Sequence, residues 1–352
     1  MDKKGKETHL LLIRLSAMGD VAMTVPVITA LTSQYSQLNI TVLTKKPFIP
    51  IFSGLERVNV VEADVKKRHK GLIGLWKLYQ ELKPFQFDAV ADLHNVLRSR
   101  ILKKYFALER TPFVQLDKGR KGKGELTRPQ NKIFKQLKST HQRYADVFAQ
   151  LGFPVDLTPA KLLERQPLSE KLLQLVQQDT KKWVGIAPFA AHGGKMYPLH
   201  LMEEVIRELN NTEKYKTLLF GGGAQEVEQL ERIAAEHPNT LCMAGKLNLE
   251  EELQLISNLD VMLSMDSGNA HLAANYGIPV VTLWGVTHPF AGFYPFGQPM
   301  EHALLTDRDK FPLIPTSVYG NKMPKGYEKA METISSHDIV VKLLSILEPT
   351  FN

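Results

Sequence analysis

Four stretches of this sequence place chemically capable residues in turns that follow apolar runs. The first is LSAMGDVAMTVPV, residues 15 to 27, in which Asp20 is the one acidic residue among small and apolar side chains. Its carboxylate falls where a helix should begin. It either caps that helix, a role open to Ser16 as well, or serves as a general base within reach of a hydroxyl. The second stretch is DSGNAHLAANYGIP, residues 266 to 279. Ser267, Gly268, Asn269 and Ala270 are small enough to leave the N–H groups of a helix start open to phosphate oxygens. Asp266 suits sugar hydroxyls or a cap, and His271, one turn inside, either donates to a phosphate or is a satisfied core histidine. The third, APFAAHGGKMYP at 187 to 198, sets Lys195 behind two glycines, where its ammonium either reaches a diphosphate as a point charge or stands in solvent. The fourth, FGGGAQEVEQ at 220 to 229, gives a nucleoside room to approach, with Glu226 a candidate acceptor for ribose hydroxyls. Gly19 stands alone, so no dinucleotide-binding Gly-x-Gly-x-x-Gly is present there. Asp307-Arg308-Asp309 has the look of a metal-binding pair, but no strand leads into it, and it is set aside.

The elements that must hold these turns follow from the apolar pattern. Short runs rich in Val, Ile and Leu alternate with longer amphipathic segments, the signature of parallel strands joined by crossover helices. Strands are predicted at 9–15, 39–44, 58–62 and 88–93, and a helix near 139–151 should end at Gly152. The alternation restarts at 183, with further strands at 216–220, 240–243, 260–264 and 279–284. A chain of 352 residues organised this way predicts an α/β protein of two Rossmann-like, doubly wound domains, 1–165 and 166–352, facing across a cleft. In such folds ligands collect at the carboxyl ends of the strands, where all four stretches lie.

Charge separates the two halves. Residues 1–165 carry 29 Lys and Arg against 15 Asp and Glu, a balance of +14, whereas 166–352 carry 15 against 22, a balance of −7. Within the basic half, residues 118–143 hold nine Lys and Arg and one acid. They read as a mobile basic loop running into a basic helix, either a solvated surface or a docking site for an anionic partner. Aromatic residues are not interleaved there as base-stacking platforms, which argues against nucleic acid. The single cysteine, Cys242, allows no internal disulfide and no four-cysteine zinc site, which suits a reducing cytoplasm. The apolar run after MDKKGKETH is broken by Arg14 and too short for an export signal, and no stretch approaches the roughly 20 apolar residues of a membrane span. A cytoplasmic location, at most peripheral to the inner membrane, is expected.

Taken in order along the chain, the pieces resemble family 9 glycosyltransferases, the lipopolysaccharide heptosyltransferases. The resemblance rests on Asp20, on Asp92-Leu93-His94 with Arg98-Ser99, on Lys195-Met196-Tyr197-Pro198, on Lys246 to Glu250, on Asp266-Ser267-Gly268 with His271-Leu272-Ala273, and on Gly285 to Pro289. It runs from about residue 10 to 300 and continues more weakly into METISSHDIVVKLLSIL, which looks like the family's closing helix. It implies a GT-B fold, with the acceptor on the N-terminal domain and the nucleotide-sugar on the C-terminal one. It also implies inverting transfer of heptose from ADP-heptose to a lipopolysaccharide inner-core acceptor, with no metal or other cofactor. Asp20 would be the catalytic base. Lys195, Ser267, Gly268, Asn269 and His271 would meet the donor diphosphate, Asp266 the donor sugar, Glu226 the ribose and Leu247 the base. Arg98, Lys118, Arg120, Lys121 and Lys123 would contact the anionic glycolipid acceptor. Two departures stand out: Ala190 and Ala191 occupy positions where many relatives carry phosphate-binding hydroxyls, and Leu247 replaces a common methionine. Another nucleotide-sugar donor, a nucleotide-sugar epimerase on the same plan, and a non-catalytic polyanion-binding protein are the competing readings.

Overall fold

Continuous apolar runs such as Leu10–Ile13, fully buried, mark strands covered on both faces, as parallel sheets between helices require. The computed structural model describes residues 7–349 other than Pro159 and Gln178; the charged residues 1–6 lie outside it. In chain order the elements begin with β1 (Thr8–Ile13), α1 (Met18–Ala22), α2 (Val25–Gln34), β2 (Leu38–Thr44), β3 (Val58–Glu62), α3 (Gly71–Leu82), β4 (Ala89–Asp92), α4 (Leu97–Phe106) and β5 (Phe113–Gln115). Then come α5 (Arg120–Thr127), α6 (Thr140–Gln150) and α7 (Glu170–Val176). The second run is β6 (Lys182–Ala187), α8 (Leu199–Asn211), β7 (Tyr215–Leu219), α9 (Ala224–Glu236), β8 (Thr240–Cys242), α10 (Leu249–Ile256), β9 (Val261–Met265), α11 (Gly268–Asn275), β10 (Val280–Trp284), β11 (Ala303–Leu305) and α12 (Ser336–Leu347).

Two compact units result. The first comprises Met1–Lys118 and Thr140–Leu163, the second Gly119–Ser139 and Glu164–Asn352. In the first, five parallel strands stand in the order β3-β2-β1-β4-β5. The second has six, in the order β11-β10-β9-β6-β7-β8, again all parallel. Each sheet therefore reverses direction beside its first strand, between β1 and β4 and between β6 and β9, and a crevice for ligands opens at such a switch point. Register makes the neighbouring strands end level. Ile13 pairs with Asp92, and Ala187 with Ser264, so the turns that leave them emerge at the same height.

Every predicted strand is present with its bounds within two residues, and 58–62 coincides with β3. The sequence reading did not find β5 and β11, three-residue edge strands.

The basic segment is a larger correction. A loop does run into a helix, α6, but a further helix, α5, precedes it, and residues 119–139 pack with the second unit. Leu126 and Leu137 bury against Ala291, and the Leu137 N–H donates to the Phe290 carbonyl at 2.9 Å. The Lys132 ammonium donates to the carbonyls of Leu126, Leu313 and Pro315 at 3.1, 2.7 and 2.6 Å. Its pKa is pushed down to about 8, by burial and then by Arg308. Counted by unit, the balance is 21 basic against 13 acidic residues in the first and 23 against 24 in the second. The steep contrast between the halves of the sequence is thus much reduced between the folded units.

Candidate active site

At the switch point of the first unit, β1 continues into Arg14, whose side chain is buried at 7% exposure and forms an ion pair with Asp20 at 2.5 Å. A buried guanidinium needs both a counter-charge and acceptors for its remaining donors. Arg14 has the counter-charge in Asp20 and one further acceptor, the Leu93 carbonyl at 2.6 Å in the turn after β4, while its buried Nε finds no acceptor among the described residues. Burial works against its charge, but Tyr144, Asp20 and Asp92 outweigh that, and the guanidinium holds its proton above the ordinary arginine range.

Asp20 sits in the first turn of α1, and its Oδ2 accepts from both Arg14 and the Ala17 N–H, the latter at 3.3 Å. Its side chain is 28% exposed, and Oδ1 takes no hydrogen bond from the described residues. Tyr144 of α6, itself buried, donates from its hydroxyl to the Asp20 carbonyl oxygen at 3.2 Å and so fixes the turn from beneath. Capping and an available carboxylate oxygen coexist in one residue.

The facing turn carries His94. Its Nδ1 accepts from the Leu15 N–H at 3.4 Å, which leaves the proton of the neutral ring on Nε2. Burial pushes its pKa down to about 3, with Arg14 and Lys118 adding to the shift and Asp20 opposing it. Asp92 is fully buried and holds the turn rather than presenting itself: it accepts from the N–H groups of His94 and Asn95 at 3.0 and 2.8 Å and from the Gln115 amide at 2.9 Å. Arg98 lies exposed in the first turn of α4.

In the second unit the corresponding turns hold a pair of opposite layout. Lys195, after β6, extends its ammonium to Asp266, after β9, with 2.8 Å to Oδ2 and 2.9 Å to the backbone carbonyl. Here the carboxylate is the buried partner, 6% exposed against 17% for the lysine. The lysine stem runs against Gly320, where a Cβ would stand 2.5 Å from Lys195 Cγ and where φ is +80°. The turns after β6 and β10 also meet backbone to backbone: a Cβ on Gly285 would fall 2.3 Å from the Gly194 carbonyl oxygen, which accepts from the Val286 N–H at 2.9 Å.

Helix α11 starts beside the pair. Its N-cap Ser267 makes no side-chain cap; the hydroxyl pairs with Ser264 at 3.1 Å instead. The N–H groups of the first turn, from Gly268 through Asn269, therefore receive no cap from that side chain, and the positive end of the helix dipole lies next to an ammonium. His271 is buried one turn in.

Glu226 is partly committed, since it accepts from the Gly222 N–H at 2.8 Å across the glycine turn before α9. Leu247 is half-buried, ahead of the Asn248 cap of α10. Ala190 is half-buried, and Ala191 and His192 are exposed.

Of the expected acceptor residues, Arg98 and Lys118 belong to the first unit, and Arg120, Lys121 and Lys123, just past the boundary at Lys118, to the second. Lys123 is withdrawn from solvent, with its ammonium 4.1 Å from the centre of the Phe293 ring, so it is corrected from a surface contact to a packing residue. Asp307 closes a local turn by accepting from the Asp309 N–H at 2.9 Å. No group of three or more His, Cys, Asp or Glu among the described residues is placed to hold a metal ion.

Sequence reasoning missed Arg14, His94, Tyr144 and Gly320 as site residues. Arg14 did leave a signal: a charge ending an apolar strand needs a partner, and Asp20 stands six residues on.

The geometry has counterparts. The sequence model of glycosyltransferase family 9 (heptosyltransferase) matches residues 75–310. The lipopolysaccharide core heptosyltransferase OpsX of Haemophilus influenzae is 26% identical over 284 residues, covering 80% of each chain. Among solved structures, the family 9 glycosyltransferase of Veillonella parvula aligns over 98% of both chains with a TM-score of 0.75 at 19% identity. Escherichia coli heptosyltransferase WaaC with ADP aligns over 96% of this chain and 100% of its own, with a TM-score of 0.66 at 16% identity. The structural matches establish the two-unit GT-B fold, and the sequence match spans more than half of the chain. The chain belongs to glycosyltransferase family 9, the heptosyltransferase family, and is a glycosyltransferase.

Proposed function

We propose that this enzyme transfers heptose from ADP-heptose to an anionic lipopolysaccharide inner-core glycolipid, with inversion at the anomeric carbon and without a metal. The observation that carries the chemistry is the open Oδ1 of Asp20, held at a sheet switch point while Oδ2 is occupied by Arg14. In this reading Oδ1 accepts the proton of the acceptor hydroxyl as that oxygen attacks the anomeric carbon. The bond to the diphosphate breaks on the opposite side, which inverts the centre. The charge that develops on the departing phosphate is met by the Lys195 ammonium, the Ser267 hydroxyl and the N–H groups of Gly268 and Asn269.

Asp266 fixes Lys195, and the pair opens to donor-sugar hydroxyls as the lysine turns to phosphate. Glu226 would take the ribose and Leu247 the flat of the base. His271 supports the helix start that holds the phosphates. Arg98 and Lys118 would be acceptor contacts on the first unit, and Arg120 and Lys121, exposed on the second, would meet an anionic headgroup. Heptose and an ADP carrier are supported by the relatives, a core heptosyltransferase and a heptosyltransferase seen with ADP. The glycolipid acceptor also implies peripheral contact with the cytoplasmic face of the inner membrane. Among the described residues no helix is long and apolar enough to cross it.

The test is incubation of the purified protein with a panel of nucleotide-sugars and a deacylated, water-soluble core acceptor, with and without EDTA. The expected outcome is a heptosylated product of inverted anomeric configuration from ADP-heptose alone, unaffected by EDTA. Transfer from a different donor would replace heptose, and loss of activity with EDTA would overturn the metal-free mechanism.

A further inference from the structure

Helix α3 buries Leu75, Leu78, Tyr79 and Leu82 in the core of the first unit. Its opposite face is unusually apolar for a surface: Leu72 is 64% exposed, Ile73 87% and Trp76 41%. On a helix, positions three and four apart adjoin, so these three side chains form one patch. Trp76 is held edge-on against Tyr105 of α4 at 5.1 Å and lies 5.3 Å from Tyr79, which fixes its ring at the surface.

The turn leading into α3 is strongly basic. Between residues 66 and 77, KKRHKGLIGLWK contains no acid. Arg68 is paired with Glu81 at 3.3 Å, but Lys66, Lys67, Lys70 and Lys77 are exposed and make no ion pair among the described residues. This turn is built rather than loose. His69 is buried, with Nε2 3.1 Å from Glu81 and Nδ1 accepting from the Asp64 N–H at 3.1 Å. Gly74 lies so close to the His69 backbone that a Cβ would stand 2.4 Å from its carbonyl carbon. The backbone that carries Lys66, Lys67 and Lys70 is thereby held at the start of α3.

We infer that this face of α3 is the surface by which the enzyme docks on an anionic lipid bilayer, with Leu72, Ile73 and Trp76 entering the headgroup region and Lys66, Lys67, Lys70 and Lys77 meeting lipid phosphates. The inference deepens the proposed function and rests on its glycolipid acceptor. An apolar patch next to exposed lysines, of which Lys67 also acts on the Asp64 carboxylate, matches such an interface in both of its terms, apolar burial and charge. Tryptophan suits the headgroup level because its ring has an apolar body and a polar edge. A second copy of the chain fits poorly, because a two-fold contact through this patch would bring eight like charges together. The basic segment 118–143, which the sequence offered for docking, is less suited, since Lys123 and Lys132 are turned inward.

The chain's own tryptophans supply the readout. Trp183 and Trp284 are 8% and 1% exposed, so a change of emission on binding reports Trp76. Vesicles of phosphatidylcholine with phosphatidylglycerol should shift the emission to the blue, and brominated lipid should quench it; vesicles of phosphatidylcholine alone should bind far more weakly. Ile73→Asp should lower the vesicle partition coefficient by at least about tenfold. Lys66→Glu with Lys70→Glu should lower it by roughly fivefold per charge removed and flatten its salt dependence.

Transfer to the soluble, deacylated acceptor should be unchanged in all of these variants. No shift with anionic vesicles, equal binding to neutral ones, wild-type binding by the Ile73→Asp variant, or a dimer that Ile73→Asp dissolves would each overturn the inference. Absence of soluble transfer in the wild type would instead strike the proposed function, and vesicle binding would still be read separately.

Discussion

The two switch points carry the same device with its polarity reversed. In the first unit the cation is the buried member and the carboxylate faces outward; in the second the carboxylate is buried and the ammonium faces outward. The difference follows from what each sheet turn supplies. Arg14 directly follows an apolar strand, and its charge meets Asp20 and a carbonyl from the adjacent turn. Asp266 sits against a helix start and is covered by the lysine stem, so the outer end of that pair is positive. In the proposed function the first unit would offer a proton acceptor and the second an anion site, the complement that a displacement reaction with a diphosphate leaving group requires.

Removing the outward member of each pair is the sharpest way to break this comparison. Asp20→Asn, in steady-state assays with soluble acceptor, should lower kcat about a thousandfold while leaving the donor KM near its wild-type value, because a base acts only as the hydroxyl attacks. Lys195→Met should lower kcat about a hundredfold and also raise the donor KM, since an ammonium beside a phosphate binds the ground state as well. If the two variants gave the same kcat and KM pattern, the division of labour between the units would be wrong.

A subtler intervention leaves both charges in place. Gly320→Ala puts a methyl into the Lys195 stem at a positive φ, and we expect roughly a tenfold fall in kcat/KM with a rise in donor KM. Unchanged kinetics would mean that the ammonium is not positioned by that contact.

The smallest expected effect concerns pH. His94 is held neutral, its pKa pushed down to about 3, chiefly by burial. In the unfolded chain it would titrate near ~6.5. Between these values the unfolded state binds a proton that the folded state refuses, so stability falls as the pH drops below ~6.5 and is unaffected above it. His94→Gln, which keeps an acceptor for the Leu15 N–H, should reduce the loss of unfolding free energy between about pH 7 and about pH 5 by about 1 kcal/mol, allowing for solvent screening at a partly exposed ring. Urea titrations at the two pH values would measure it; identical slopes for both proteins would remove His94 from the acid response.

Much of this was legible in the sequence. Val- and Ile-rich runs announced the strands, because buried parallel strands must be apolar on both faces, and small residues after them announced the turns. Asp20, Lys195 and the Asp266-Ser267-Gly268 helix start were each visible as polar groups in such turns. Their partnerships were not, because Lys195 and Asp266 are 71 positions apart and Asp20 and Tyr144 are 124 apart. The basic segment misled for a related reason: counting charge along the chain ignored Leu126 and Leu137, whose burial takes residues 119–139 to the second unit.

Local pattern by itself determined nine of the eleven strands, the turns proposed to carry chemistry and the family to which they belong, since periodicity and turn composition act over a few residues. Only the tertiary structure decided which ionised group of each pair lies inside, which oxygen of Asp20 stays open and which lysines remain at the surface. Those outcomes depend on desolvation and on partners brought together by sheet register, and no stretch of sequence contains both members.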